Sequence, residues 1–439
     1  MNKITTFFIV LFICFLLVGQ EKTMSLQNCI EYALKNSPEL KKEKIDLLRQ
    51  ELNTIEAQAA FAFSLNANSD YAMKEDETSN SITLSKEFRN GLNVSMSADA
   101  SLDYDDKSDS SGMSITLSKQ ILGGDSRLEN TNIIDDSIID EIIIANNLRK
   151  IRRSLIFSVK KSFYKIIRFQ QSMTIQQRRL EQAKRNLEFA RAKENPLDIA
   201  TAEIEVPSNQ LSLITAERII EREIDSLKEI LGMPIEENVS ISKQFDFKIT
   251  NRSSADDIDF ALNNHEDFLN NKLYLHKYKL DAEIAKYSLY PDVSLSAKFS
   301  KDSRGATVNL NGDDEQTYML TARWELGRRS FKADYQSKLY NISEKKLDYY
   351  ILKQNKIKTI KELLLYLRER VKAIKIQGKK ITFQKKQVML FNDRWENGEI
   401  DILELIRSQN SLENSKVTLI QQKTGYMELY AEYLYEIGR

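Results

Sequence analysis

Leu92-Asn93-Val94-Ser95-Met96-Ser97-Ala98-Asp99-Ala100-Ser101-Leu102-Asp103-Tyr104 alternates apolar and polar residues without a break. Successive side chains of a β-strand point to opposite faces, so this period of two puts Leu, Val, Met and Ala on one face and Asn, Ser and Asp on the other. Met113 to Ser118 repeats the pattern, as do Phe61 to Tyr71, Val293 to Ser300 and Tyr318 to Leu326. Strands of roughly nine to thirteen residues with this dyad pattern fit a membrane-spanning barrel, lipid outside and water inside. An antiparallel sheet half-buried on a soluble core has the same period. The Ser/Asn-rich polar faces and short, charged connections favour the barrel.

Long helical segments follow the strands. From Asp125 to Asn195 there is no Gly or Pro, and such a run, helical throughout, spans on the order of 100 Å. Arg328 to Asn397 is almost as long, interrupted by Gly378 alone. Leu155, Val159, Phe163, Ile166, Ile167, Met173, Leu180 and Leu187 recur at helical spacing and read as coiled-coil core. Helices of this length need lateral partners along their exposed stripes. Pro207 falls inside the next helix and predicts a bend there.

These parts occur twice. Cys29-Ile30-Glu31-Tyr32-Ala33-Leu34 is matched by Asp257-Ile258-Asp259-Phe260-Ala261-Leu262, each opening a short helix, a polar turn and a longer helix, with Pro38 suited to a first-turn position. The junctions Leu122-Gly123-Gly124-Asp125 and Leu326-Gly327-Arg328-Arg329 correspond, and so do the late turns before Leu197-Asp198-Ile199 and Leu403-Glu404-Leu405. The expected organisation is a signal peptide over 1–20 and a first repeat over 21–234, with strands about 61–122 and long helices 125–232. A linker over 235–255 follows, then a second repeat over 256–439 with strands about 292–326 and long helices 328–437. Gly232-Met233-Pro234 reads as the helix stop that closes the first repeat.

The N-terminus carries Lys3 and then an uncharged run from Ile4 to Val18 before Gln20-Glu21-Lys22. That length fits a secretory signal better than a transmembrane helix, which needs about twenty apolar residues. Sixty-four basic and sixty-four acidic residues balance, so no global field recruits nucleic acid or an anionic surface. With Cys14 in the signal segment, Cys29 is the one remaining thiol and reads as a small buried hydrophobe. His265 and His276 lie on a Lys- and Asn-rich helix with no cluster of further ligands, which argues for packing or surface roles rather than metal. No Ser/His/Asp grouping, zinc spacing or phosphate-cradling loop is visible. The sequence therefore predicts no enzyme, no cofactor and no metal site.

The opening at Ile30 to Leu40, the strand-then-Leu-Gly-Gly junction at 117–127 and above all Arg394-Trp395-Glu396-Asn397-Gly398-Glu399-Ile400-Asp401-Ile402-Leu403-Glu404-Leu405 resemble the TolC-like outer-membrane efflux protein family. The last stretch is similar to that family's Arg-aromatic-x-x-Gly turn followed by Leu-acidic-aliphatic. The resemblance extends over residues 26–438. It implies a mainly α fold with a transmembrane β portion, internally duplicated: a long-helix α-barrel plus an antiparallel β-barrel completed by trimerisation, four strands from each protomer. It further implies the outer membrane of a diderm bacterium, extending into the periplasm, with a periplasmic adaptor and an inner-membrane transporter as partners. The implied function is the exit duct of a tripartite efflux or type I secretion system.

In that frame Asp198, Glu404 and Arg407 fall at the narrowing periplasmic tip and are candidate gate residues, with the solvated helix face as the bland alternative. Many relatives carry an acid where Arg407 stands, so this chain departs there. Arg394, Asn397 and Gly398 are candidates for adaptor docking, Gly398 supplying a left-handed turn. Trp324 and Tyr318 suit an interfacial aromatic belt or ordinary packing. Two further departures matter. Four alternating stretches occupy 61–122 where the family pattern supplies two, so the extra hairpin extends a loop, lengthens the strands or enlarges the barrel. Glu194-Asn195-Pro196 replaces a Gly-containing first turn. A periplasmic adaptor or a structural coiled-coil envelope protein would share the helices, but not the repeated amphipathic strands.

Overall fold

The computed structural model describes residues 22–72, 77–103, 109–123, 126–250, 252–304, 313–324, 327 and 329–439. The expected signal peptide lies outside them, as do Tyr104, Gly124, Asp125, Glu325, Leu326 and Arg328. In chain order the elements are β1 (Lys22–Met24), α1 (Leu26–Asn36), α2 (Pro38–Ala59), β2 (Phe63–Ala72), β3 (Glu77–Glu87), β4 (Leu92–Asp103), β5 (Ser110–Leu122), α3 (Ser126–Ala192) and α4 (Pro196–Leu231). The second half continues with β6 (Val239–Ile241), α5 (Ser254–Asn264), α6 (Glu266–Tyr287), β7 (Asp292–Arg304), β8 (Asp313–Arg323), α7 (Arg329–Glu396) and α8 (Ile402–Glu436). Helix lengths repeat closely between the halves. α1 and α2 have 11 and 22 residues, as do α5 and α6. The long pairs are 67 and 36 residues in the first half and 68 and 35 in the second. Among the described residues no helix is long and apolar enough to cross a membrane.

Local chemistry sets the helix ends. The Ser25 hydroxyl accepts from the Asn28 amide at 3.2 Å and caps α1. Pro38 opens α2, and Pro196 opens α4 behind Asn195, whose side chain accepts from the Leu197 amide. Gly232 ends α4 at φ +69°, with Gly232 N–H to Glu229 O and Met233 N–H to Lys228 O closing a Schellman motif. A Cβ at Gly232 would lie 2.9 Å from the Asn36 carbonyl oxygen, so the glycine also permits a close approach. α4 is continuous through Pro207.

Two compact units are present, each drawing segments from both halves of the chain. One comprises the described residues within 22–43, 148–266 and 353–439. Its first core gathers Met24, Cys29, Ala33, Val159, Phe163, Ile166, Ile167, Leu227 and Leu231. A second core, of Ala261, Ile360, Leu363, Leu367, Tyr426, Tyr433 and Ile437, repeats the plan. Ala33 and Ala261, matched in the repeat, are both buried where a short helix meets a long one. Burial raises the Cys29 thiol to about 11, so it packs as a neutral hydrophobe. Within the linker β6 pairs in parallel with β1, and the Tyr426 hydroxyl accepts from the Thr250 amide at 3.0 Å. Those three-residue strands are too short to leave a periodic trace in the sequence.

The other unit comprises the described residues within 44–147 and 267–352 and holds a six-stranded antiparallel sheet of order β2-β3-β4-β5-β7-β8. Its ladders fix the faces. The pairs Leu65↔Leu84, Leu84↔Met96, Met96↔Ile115 and Ile115↔Phe299 run along one row, flanked by Phe63, Val94, Leu117 and Leu295 of the same parity. The opposite parity carries Asn66, Ser81, Ser97, Ser114, Ser296 and Thr321. On the apolar face Lys86 lies 4.2 Å from the Phe63 ring centroid near one end, and Lys301 pairs with Asp314 at 3.0 Å near the other. Gly112 sits on the polar face, where a Cβ would meet Asp302 Oδ1 at 2.9 Å and Asp99 Oδ2 at 3.0 Å. The resemblance implied four strands per protomer. The extra hairpin here continues the same sheet, because β3 pairs with β4 from Glu77↔Asp103 to Glu87↔Asn93 without interruption.

Candidate functional site: a clasp between two helix turns

The six residues singled out in the sequence lie on or beside two turns, one joining α3 to α4 and one joining α7 to α8. At the second turn, Gly398 N–H bonds Trp395 O at 3.0 Å and Glu399 N–H bonds Arg394 O at 2.9 Å, a Schellman ending with Gly398 at φ +79°. The Cβ position of Gly398 opens into empty space, so backbone conformation rather than crowding calls for glycine there. Arg394 pairs with Glu399 at 3.2 Å, both about half exposed. Arg394, Asn397 and Gly398 thus belong to one exposed turn.

At the first turn the left-handed residue is Glu194, φ +54°. Its N–H bonds Arg191 O at 3.2 Å, and Asn195 then caps α4. A side chain in that conformation costs about 1–2 kcal/mol. Glu194→Gly is therefore expected to leave stability unchanged or raise it by up to about 1 kcal/mol, and Gly398→Ala to lower it by about 1 kcal/mol. Urea unfolding followed by circular dichroism checks both; a destabilised Glu194→Gly would refute the assignment of strain.

The turns are joined by a reciprocal exchange of charge and helix end. Asp198, from the first turn of α4, is buried; its carboxylate accepts from Trp395 Nε1 at 3.4 Å and from the Ile402 amide at 3.3 Å. Ile402 is the first residue of α8, whose own Asp401 makes no side-chain cap bond, so Asp198 caps α8 from another helix. In the other direction, Lys193 Nζ donates to the carbonyls of Trp395 and Glu396 at the end of α7, the latter at 3.1 Å, and lies 4.4 Å from the Trp395 ring centroid. Beneath these polar contacts Ala190, Ala202, Trp395, Ile402, Leu405 and Ile406 form a small core. Phe189 meets Trp395 edge-on at 6.4 Å between centroids.

Asp198 is thus brought together with Trp395 and Ile402, whereas Glu404 and Arg407 lie exposed on α8, one turn apart. Sequence reasoning missed Lys193, Trp395 and the amide of Ile402 as partners. The available signal was a lone Trp395 within the polar run Asn392 to Glu399, and an acid in the first turn of each following helix. Nothing in spacing alone pairs residues 197 positions apart.

No protein-family model and no curated protein matches the sequence. The fold does have solved counterparts, several of them outer-membrane channels. VceC, the outer-membrane protein of Vibrio cholerae, superposes with a TM-score of 0.73 over 94% of this chain and 96% of that one, at 15% identity. CusC, described in connection with transmembrane channel formation, gives 0.73 over 94% and 91% at 12% identity. The open state of the MtrE outer-membrane channel of Neisseria gonorrhoeae gives 0.70 over 94% and 88% at 15% identity. At these identities the likeness carries the fold: the chain has the architecture of the TolC-like channels, helices and antiparallel sheet alike.

Proposed function

We propose that this protein is the outer-membrane exit duct of a tripartite efflux or type I secretion system, receiving cargo from an inner-membrane pump through a periplasmic adaptor. The observation that carries the reading is the sheet with an apolar band on one face and a face rich in Ser, Asn, Thr and Asp on the other, on a fold shared with outer-membrane channels. Such a sheet suits lipid on one side and water on the other. A single copy leaves apolar stripes bare at a spacing of seven: Leu197, Ile204 and Leu211 on α4 are 67%, 68% and 66% exposed, and Ile376, Phe383 and Leu390 on α7 are 68%, 68% and 63% exposed. Seven-residue spacing is a coiled-coil seam, and three copies arranged cyclically would cover the seams of every member.

Within this reading the chain is two repeats, 21–234 and 256–439, and the paired turns form the periplasmic tip. Asp198 holds the two turns of one protomer together, while exposed Glu404 and Arg407 face neighbouring copies or the aperture. Arg394, Asn397 and Gly398 present the turn that receives the adaptor. A passive duct needs no catalytic residue, cofactor or metal. The test is reconstitution of the full-length protein in planar bilayers, with its mass determined in the same detergent. Discrete conductance steps from a trimer are expected. Trimers without steps place the block at a closed tip, and a soluble monomer that never inserts overturns the reading in favour of an adaptor or envelope coiled coil.

A further inference from the structure

The edges of the sheet are β2 and β8. Resting on the channel reading above, we propose that the β2–β3 hairpin is barrel wall and that β8 of each copy pairs with β2 of the next. Each protomer then contributes six strands, and three copies of a six-stranded sheet make an eighteen-stranded barrel.

Four observations support the closure. First, β2 and β3 continue the register and the face pattern of the rest of the sheet, with Phe63, Leu65 and Ala67 in line with Lys86, Leu84 and Ile82 and then with Val94, Met96 and Ala98. A hairpin that left the wall for a loop would have no reason to keep the same parity. Second, every neighbouring pair is antiparallel, so in a row of six the first and last strands run oppositely. β8 beside the next copy's β2 is therefore antiparallel too, and no parallel junction or change of face arises. Third, the edges match in length, 10 residues in β2 and 11 in β8.

Fourth, neither edge is defended along its middle. β2 and β8 hold no Pro or Lys, and the one charge of β2 is Asp70 near its end. The charges of β8, Asp313, Asp314, Glu315 and Arg323, sit at its two ends and leave Gln316 to Ala322 uncharged. The register irregularity between β5 and β7 lies inside the sheet. Phe63 and Leu65 on β2, and Tyr318 and Leu320 on β8, are each about two-thirds exposed. Natural edge strands are blunted by charges, prolines or bulges; unblunted ones are built to be paired. Within one copy β2 and β8 do not pair with each other, so the sheet is open at both edges. A second copy is the occupant whose edge is complementary by construction.

The consequence is width. Barrel diameter grows roughly in proportion to strand number, so the wall would be about one and a half times as wide as one built from β4, β5, β7 and β8 of three copies. Barrels of about this strand number leave an open aqueous channel. Flow through the duct would then be limited at the helical end, not at the membrane.

Cysteine pairs across the seam test this in the full chain carrying Cys14→Ser and Cys29→Ser. Asn66→Cys on β2 is combined in turn with Thr317→Cys, Met319→Cys and Thr321→Cys on β8, all of polar-face parity, and membranes are oxidised before denaturing electrophoresis. Ser97→Cys on β4 with the same three partners is the competing seam. Linkage between copies from β2, and none from β4, is expected for at least one β8 position. Linkage from β4 overturns the six-strand wall and leaves a twelve-strand channel standing. Membrane-inserted, heat-modifiable protein linking from neither strand also overturns it. Absence of linkage in protein recovered outside the membrane fraction overturns the channel reading as well, so the two failures are distinguishable.

Discussion

Trp395→Ala is expected to open the clasp between the two helix turns, weakening it by about 3–5 kcal/mol, the usual cost of emptying a buried indole. Trp395 is 3% exposed and is the largest member of a core otherwise made of alanines and aliphatics. Ala190 and Ala202 in the same core are too short to fill the space. The loss also removes the Phe189 edge contact, the ring under Lys193 and one of the two donors to Asp198. Trp395→Phe separates these terms. It keeps most of the packing but leaves Asp198 with the Ile402 amide alone, for an expected cost of about 1–2 kcal/mol.

Because the clasp is a small part of a long chain, its loss should appear as local opening rather than global unfolding. Hydrogen exchange at Ile402 and limited proteolysis between residues 396 and 402 are the measurements. Faster exchange and new cleavage in Trp395→Ala, with much weaker effects in Trp395→Phe, are expected. Protection equal to that of the unaltered protein in Trp395→Ala would show that the turns are held by something else. In a duct whose aperture is formed by these turns, the same substitution should raise the fraction of open channels.

Much of this arrangement was legible in the sequence. A period of two marked the strands because their two faces meet different surroundings, and runs without Gly or Pro marked the long helices. The Gly398 turn was readable because few residues other than glycine accept φ +79°. Glu194 was not, since an L-residue in the same conformation is held there by surrounding structure that leaves no compositional mark. Strand count was half legible: four alternating stretches stood in 61–122, but only pairing shows that they share one ladder. Asp198 was read from the sequence as a gate candidate beside the first of these turns. Its burial against Trp395 and the start of α8 depends on how two distant hairpins pack, which no local pattern encodes.

Asp257 poses the same problem in the helical unit and yields the second large effect. It is 3% exposed, and its carboxylate accepts from the Tyr433 hydroxyl at 2.5 Å, with Arg252 at 3.4 Å and Arg439 at 3.9 Å. Burial, followed by the bond to Asp257, pushes the Tyr433 phenol well above its ordinary range, so it remains a donor. Asp257→Ala strands that hydroxyl and removes the counter-charge of Arg252, for an expected loss of about 3–5 kcal/mol. The first half of the chain supplies a control. Cys29 occupies the matching place in the repeated opening, and Leu227, five residues before Gly232, matches Tyr433, five before Gly438. Both are buried, so the same junction is solved there with two apolar groups and no charge. Asp257→Cys with Tyr433→Leu should therefore be more stable than the sum of the two single losses predicts, by about 1–2 kcal/mol of coupling. Urea midpoints of the single and double variants measure it. Losses that add within about 0.5 kcal/mol would mean that the carboxylate and the phenol act independently, and that Arg252 is what Asp257 serves.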